Sequence, residues 1–214
     1  MKKIEPLSNI TNYVKDGMSV MVGGFMGCGT PEPFIDLLVK QNVKDLTIIC
    51  NDAGYPEKGV GKLIVNNQVS HLIASHIGLN PDAGKQMSEG SMKVTLVPQG
   101  TLAEQIRAAG AGLGGILTPT GVGTIVEEGK EKITIKGKEY LLEEALHADI
   151  ALIYATASDK YGNLIHEKTT RNFNPIMALA ADKVIALTRT IKEIDPNCVM
   201  TPHILVHHLM KEEN

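Results

Sequence analysis

The chain has 214 residues, 43% of them apolar, which suits one α/β domain with a sizeable core. Its formal net charge is −3, with 21 basic and 24 acidic residues scattered along the chain, and this excludes the basic stripe of a nucleic-acid binder. Tryptophan is absent, aromatics make up 4%, and 21 glycines favour tight turns and close-packed small residues over an aromatic-lined groove. Cys28, Cys50 and Cys198 lie far apart, with no CxxC pair and no histidine at zinc spacing, and read as free thiols in a reducing compartment. Met1 to Pro6 has no apolar run behind it, and no stretch is apolar enough to span a bilayer. A soluble, cytoplasmic protein with no nucleic-acid or membrane partner is expected.

In chain order, Ser19–Val22 reads as a short buried strand running into Gly23-Gly24, followed by a helix from Pro31 to Lys40 with Phe34, Ile35, Leu37 and Leu38 on one side. Leu46–Cys50 is a second apolar strand, closed by the turn-forming Asn51-Asp52-Ala53-Gly54. His71–Ser75 and Lys93–Val97 are further strands, and Gly100–Ala109 a helix. Lys136-Gly137-Lys138, between Ile133–Ile135 and Glu139–Leu142, predicts a β-hairpin excursion. Ala148–Ile153 and Asp182–Leu187 look like core strands flanking a short helix at Pro175–Ala181. Strands that are apolar throughout belong to a sheet covered on both faces, and their alternation with helices makes it mostly parallel. The fold class expected is a three-layer α/β/α open sheet with one hairpin excursion, as a single domain over residues 1–214.

The sharpest local feature runs from Asp16 to Pro31. Within it Gly23, Gly24, Gly27 and Gly29 remove side chains between a strand and a helix, with Thr30 a candidate N-cap and Pro31 a candidate first helical residue. A loop of this kind can aim backbone N–H groups at a phosphate or a developing oxyanion, or it can simply make a tight strand-to-helix connection. It is neither a Walker loop nor a dinucleotide fingerprint, since the lysine and the glycine spacing those require are missing.

Taken whole, the segment resembles the signature of the family I coenzyme A transferases: an Asp-Gly pair, two residues, three apolar residues, Gly-Gly-Phe, three residues, Gly, one residue and Pro. Asp16-Gly17, Val20-Met21-Val22, Gly23-Gly24-Phe25, Gly29 and Pro31 meet every specified position. Pro98–Arg107 with Gly110–Gly115, Thr118–Thr124, and Arg171–Pro175 are similar to further blocks of the family, so the likeness runs to about residue 187. It is nearest to the A (alpha) subunits of acetate- or butyrate–acetoacetate CoA-transferases. It departs at the tail, where Leu187–Thr190 lacks the usual acidic segment and His203 stands in place of a glycine after Thr201-Pro202.

The resemblance implies a chemistry in which a glutamate carboxylate attacks an acyl-CoA, releases the thiolate and passes through an anhydride to a glutamyl-CoA thioester. In two-subunit members that glutamate lies in a Glu-Asn-Gly type motif of the B subunit. This chain has no such motif; its single Glu-Asn pair is Glu213-Asn214. No catalytic residue is therefore assigned here, and a B (beta) subunit is the expected partner, with an A2B2 heterotetramer and coenzyme A as substrate rather than as a permanently bound cofactor. The expected CoA- and substrate-binding residues are Gly23, Gly24, Phe25, Met26, Gly27, Cys28 and Gly29, with Asn51 and Gln99. Asn51 could equally form an Asx-turn and Gln99 order a loop; Asp52 stands where many relatives have a second asparagine.

Glu104 and Arg107 read as a surface ion pair, and Cys28 as a bystander rather than a nucleophile. His71 and His76 are expected to serve the fold, and no metal site is expected from His203, His207 and His208. Two other readings stay open: a sugar-phosphate isomerase-like enzyme whose loop holds phosphate, and a non-catalytic CoA-binding module.

Overall fold

The computed structural model describes residues 4–213. Its elements in chain order are β1 (Ile4–Glu5), α1 (Ile10–Tyr13), β2 (Ser19–Val22), α2 (Glu32–Gln41), β3 (Leu46–Ile49), α3 (Gly61–Val65) and β4 (Val69–Ala74). There follow α4 (Pro81–Glu89), β5 (Lys93–Leu96), α5 (Gln99–Gly110), β6 (Gly115–Thr118), β7 (Lys132–Ile135) and β8 (Lys138–Glu144). The chain continues through β9 (Ala148–Ser158), β10 (Leu164–Ile165), α6 (Asn174–Met177), β11 (Ala181–Ile191) and β12 (His208–Lys211).

Neighbouring residues of a strand point to opposite faces, so an apolar run must bury itself twice. Val20, Val22, Ile48, Ile150 and Leu152 pack on one face against Phe34, Ile35, Leu38, Leu63 and Ile64 of α2 and α3. Met21, Ile49, Ala151 and Ile153 pack on the other against Leu102 and Ile106 of α5 and Met177 of α6. The sheet between these two cores has the order β1-β12-β11-β9-β2-β3-β4-β5, parallel throughout, with β10 added antiparallel to β9. This is the expected open α/β/α sheet. The excursion is larger than a hairpin, however: β6 joins β7 and β8 in a three-stranded antiparallel sheet. It is fastened to α5 where Glu143, almost fully buried, takes Lys130 Nζ at 2.6 Å and Gln105 Nε2 at 3.3 Å.

β2 leads to β3 on one side and is later joined by β9 on the other, so the strand order reverses beside β2. The crevice at the carboxyl ends of strands at such a point is where open α/β sheets hold ligands. The glycine loop leaves β2 there. α2 begins at Glu32, one residue later than expected, with Pro31 at its cap; Thr30 is not the cap. Gln99 is the first residue of α5, which begins one residue earlier than the helix expected from Gly100.

The two chain ends meet in the sheet, β1 pairing with β12. Glu5 accepts from Tyr13 Oη at 2.7 Å and Asn9 Nδ2 at 3.1 Å and pairs with His208 Nδ1 at 2.7 Å, while the Tyr13 and His208 rings stack at 4.0 Å. Burial alone would raise the Glu5 carboxyl, but the hydrogen bonds from Tyr13, His208 and Asn9 outweigh it and hold the group at about 2 instead of 4.5. The hydrogen bond to that carboxylate pushes Tyr13 up to about 12. His203, in the divergent tail, is not among the residues with positive φ, so the glycine of relatives is not demanded by the backbone here; its N–H donates to Asn163 Oδ1 at 2.8 Å.

Because the folded Glu5 titrates below the unfolded one, its stabilisation is complete above pH 4.5 and is lost as pH falls towards about 2. Thermal melts across that window should show the loss, about 1 kcal/mol after solvent screening, and Glu5→Gln should flatten it.

Candidate active site

The loop after β2 is a tight turn held from three sides. Phe25 N–H donates to Cys28 O at 3.1 Å and Cys28 N–H to Phe25 O at 2.8 Å, closing a two-residue turn at Met26 and Gly27. Their φ values are 49° and 73°, both left-handed, as a type I′ turn requires. A left-handed methionine is uncommon, and the buried Asp52 carboxylate fixes it by accepting from Met26 N–H at 2.8 Å. The same carboxylate accepts from Asn51 Nδ2 at 2.7 Å and Gly54 N–H at 3.0 Å. The Asx-turn after β3 therefore belongs to Asp52, not to Asn51.

Asn51 is buried and bridges the site. Its Oδ1 accepts from Gln99 Nε2 at 2.6 Å while its amide donates to Asp52. A chain of hydrogen bonds thus runs from Gln99 at the start of α5, through Asn51 and Asp52, to the tip of the glycine loop. The expected residues come together, although Asn51 and Gln99 act here on each other. Beside them an open cleft of about 310 Å³ is lined by Phe25, Gln99, Ala103, Arg107, Phe173 and Ile176. Arg107 at its rim forms the expected surface pair with Glu104, Nε to Oε2 3.1 Å.

The third side went unassigned in the sequence. Asn172 accepts Gly24 N–H at 3.2 Å and donates to Cys28 O at 2.9 Å. Asn174, wholly buried, donates to Gly29 O and Thr170 O at 3.0 Å each and accepts Tyr154 N–H at 2.8 Å. Both asparagines sit inside the Arg171–Pro175 block noted for its family likeness; a polar pair beside a proline carries no other signal in the sequence. Asn174 also explains Gly23, since a Cβ there would overlap its Oδ1. At Gly24, φ 130°, a Cβ would collide with Thr30 Oγ1, so that glycine makes room for the loop itself rather than for a ligand.

With Gly23 N–H donating to Leu152 O at 3.0 Å, the amides of Gly23, Gly24, Phe25, Met26 and Cys28 all have acceptors inside the chain. Those of Gly27 and Gly29 have none among the described residues, and both residues are partly exposed. The loop can therefore offer two preorganised donors to an incoming anion or oxyanion. Asp52, the carboxylate touching the loop, faces three donors and is not presented as a nucleophile. Cys28 is exposed, and burial pushes the Cys50 thiol well up, so Cys50 is inert. His71 Nε2 lies 2.9 Å from Thr95 Oγ1 and His76 O accepts Ala53 N–H, both roles within the fold.

Fold and site together define an open α/β protein with a glycine loop at the switch point of its sheet. The chain belongs to the coenzyme A transferase family, which it matches over residues 5–212. It is 52% identical over 213 residues to the acetoacetyl-CoA:acetate/butyrate CoA transferase alpha subunit of Clostridium acetobutylicum, covering 98% of each chain. It is 51% identical to the acetate CoA-transferase subunit alpha of Escherichia coli, covering 97% of this chain and 96% of that one. Among solved structures, an acyl-CoA transferase from E. coli O157:H7, determined as a thioester complex with CoA, superposes with a TM-score of 0.86 at 22% identity. The match covers 99% of this chain and 47% of that one, so the present chain spans about half of that protein. Glutaconate coenzyme A-transferase from Acidaminococcus fermentans gives a TM-score of 0.85 at 18% identity, over 98% of this chain and 75% of that one.

Gly23→Ala should cost about 1–3 kcal/mol by forcing Asn174 aside, read as a lowered melting midpoint, and should remove CoA transfer in the assembled enzyme. A variant with wild-type stability and turnover would dissociate the clasp from the loop.

Proposed function

We propose that this chain is the alpha subunit of a two-subunit CoA-transferase that exchanges CoA between short-chain carboxylic acids such as acetate, butyrate and acetoacetate. The observation that carries the reading is a loop with two open backbone donors whose one touching carboxylate among the described residues, Asp52, is already held by three N–H groups. Such a site can bind and polarise an acyl-CoA but lacks a presented nucleophile, which fits a chain without a Glu-Asn-Gly motif. Membership of the coenzyme A transferase family removes the isomerase reading, which would also need its own acid and base.

In this reading a glutamate carboxylate of the beta subunit attacks the thioester carbonyl, and CoA departs as the thiolate. The thiolate then attacks the glutamyl carbonyl of the resulting anhydride, freeing the first acid and leaving glutamyl-CoA. The incoming carboxylate reverses the two steps: it attacks the glutamyl carbonyl, displaces the thiolate, and the thiolate takes the new acyl group. Each carbonyl addition places charge on an oxygen that Gly27 N–H or Gly29 N–H could receive, and Gln99 and Asn51 set the wall beside it. Phe25, Phe173 and Ile176 make that wall apolar, which helps shield the anhydride from water. The working assembly is an A2B2 heterotetramer with its sites at the subunit boundary, located in the cytoplasm, and this chain folds as one domain over residues 1–214. No metal and no permanently bound cofactor takes part.

Co-expression with the gene product encoded beside it, followed by an assay of acetoacetate-dependent CoA exchange, tests the proposal. The pair should exchange CoA and neither chain alone should; full-speed exchange by this chain alone, or CoA binding without exchange by the pair, would overturn it.

A further inference from the structure

Arg107 stands on the rim of the cleft beside the glycine loop with most of its hydrogen-bonding capacity unspent. Its Nε donates to the Glu104 carboxylate, 3.2 Å from Oε1 and 3.1 Å from Oε2. Neither terminal nitrogen has a hydrogen-bond partner among the described residues, and the side chain is 53% exposed. Long side chains on a helix lean towards its N-terminus, and the bond to Glu104, three residues earlier in α5, fixes Arg107 in that direction. The guanidinium is thus level with Glu104 and points back towards Gln99, the first residue of the helix. At about 1.5 Å of rise per residue, the two groups are about 7.5 Å apart along the axis. Between them the cleft is lined by Ala103, Phe173 and Ile176, whose side chains offer no hydrogen bond.

An apolar cleft therefore begins at Gln99, beside the loop, and ends at a guanidinium with open donors. Resting on the reading of this chain as a CoA-transferase subunit, we infer that Arg107 is a specificity-determining residue. Its Nη–H groups donate to the 3-oxo oxygen of a short 3-oxo acid whose reacting carbonyl lies beside Gln99. The lengths agree. With bonds of about 1.5 and 1.2 Å, the oxo oxygen of such an acid lies about 3.6 Å from its carboxyl carbon. An N–H···O bond of about 2.9 Å then brings the donor close to the level of Glu104. Acetate and butyrate carry no acceptor beyond the reacting end. Because Arg107 is at an exposed rim, water serves its donors when those acids bind, and no buried donor is stranded. The 3-oxo acid alone gains a bond, so Arg107 sets a preference among acids without touching the reacting atoms.

The test is CoA transfer from acetyl-CoA to acetoacetate or to butyrate by the complex with the beta subunit. Arg107→Met keeps an unbranched stem at the rim and removes every donor. It should lower kcat/KM for acetoacetate about five-fold, the scale of one solvent-accessible hydrogen bond, chiefly through KM, and leave kcat/KM for butyrate unchanged. Both acids are assayed on one preparation, so a loss of stability or of active fraction cannot imitate a change in their ratio. An unchanged acetoacetate-to-butyrate ratio overturns the inference, whether both activities persist or both fall. In the second case Arg107 would hold the carboxylate that the two acids share, or only support α5. A wild-type pair that transfers CoA to butyrate and not to acetoacetate also overturns the inference and leaves the transferase reading standing. A wild-type pair that transfers CoA to neither acid would overturn the reading itself, and the inference with it.

Discussion

Asn174 is the side chain on which the geometry of the site depends. Its amide is fully buried, and both ends are satisfied: the oxygen by Tyr154 N–H on β9, the nitrogen by carbonyls of Gly29 and Thr170. A buried amide is tolerable only when paired in this way, so its position is determined tightly by the sheet on one side and by the loop on the other. A loop with glycine at four of seven positions would otherwise lose much conformational entropy on ordering. Asn172 ties the two ends of the turn at Gly24 and Cys28, Asn174 holds Gly29 and Asp52 the tip, which turns a flexible segment into a fixed array of N–H groups.

The consequence for chemistry is a division of labour. Amides needed to hold the loop in shape are closed off by internal acceptors, and those of Gly27 and Gly29 have none among the described residues. Electrostatic stabilisation of this kind works because the donors are in place before charge develops. The chain supplies that array of donors with an apolar wall beside it, and Asp52, which touches the loop, is already occupied by three donors.

Much of this was legible in the sequence. The continuous apolar strands Ser19–Val22, Leu46–Cys50 and Ala148–Ile153 announced a sheet buried on both faces, and adjacent residues such as Val20 and Met21 do go to opposite cores. The glycine loop, Asn51 and Gln99 were identifiable and meet in one network. What was hidden has physical causes. α4 buries only Ala83 and Gln86 and therefore shows no apolar stripe, its start being marked by Asn80 accepting Asp82 N–H at 3.1 Å. β1, β10 and β12 are two to four residues long and exist through pairing across distant chain segments, which no local pattern encodes. Asn172 and Asn174 act 144 to 148 residues away from the loop residues they hold, so their role appears only once the sheet brings β2 beside β9. For the same reason the glycines could be read as room for a ligand, whereas Gly23 and Gly24 make room for Asn174 and Thr30.

The central claim, that the loop is held rigid by side chains so that Gly27 and Gly29 alone remain to receive substrate, is tested most directly by amide hydrogen exchange resolved to single residues. In the complex with the beta subunit but without CoA, the amides of Gly24, Phe25, Met26 and Cys28 should be protected and those of Gly27 and Gly29 should exchange rapidly. Addition of CoA should slow Gly27 and Gly29 and leave the others unchanged. Rapid exchange across the entire loop, or Gly27 and Gly29 unaffected by saturating CoA, would contradict the account.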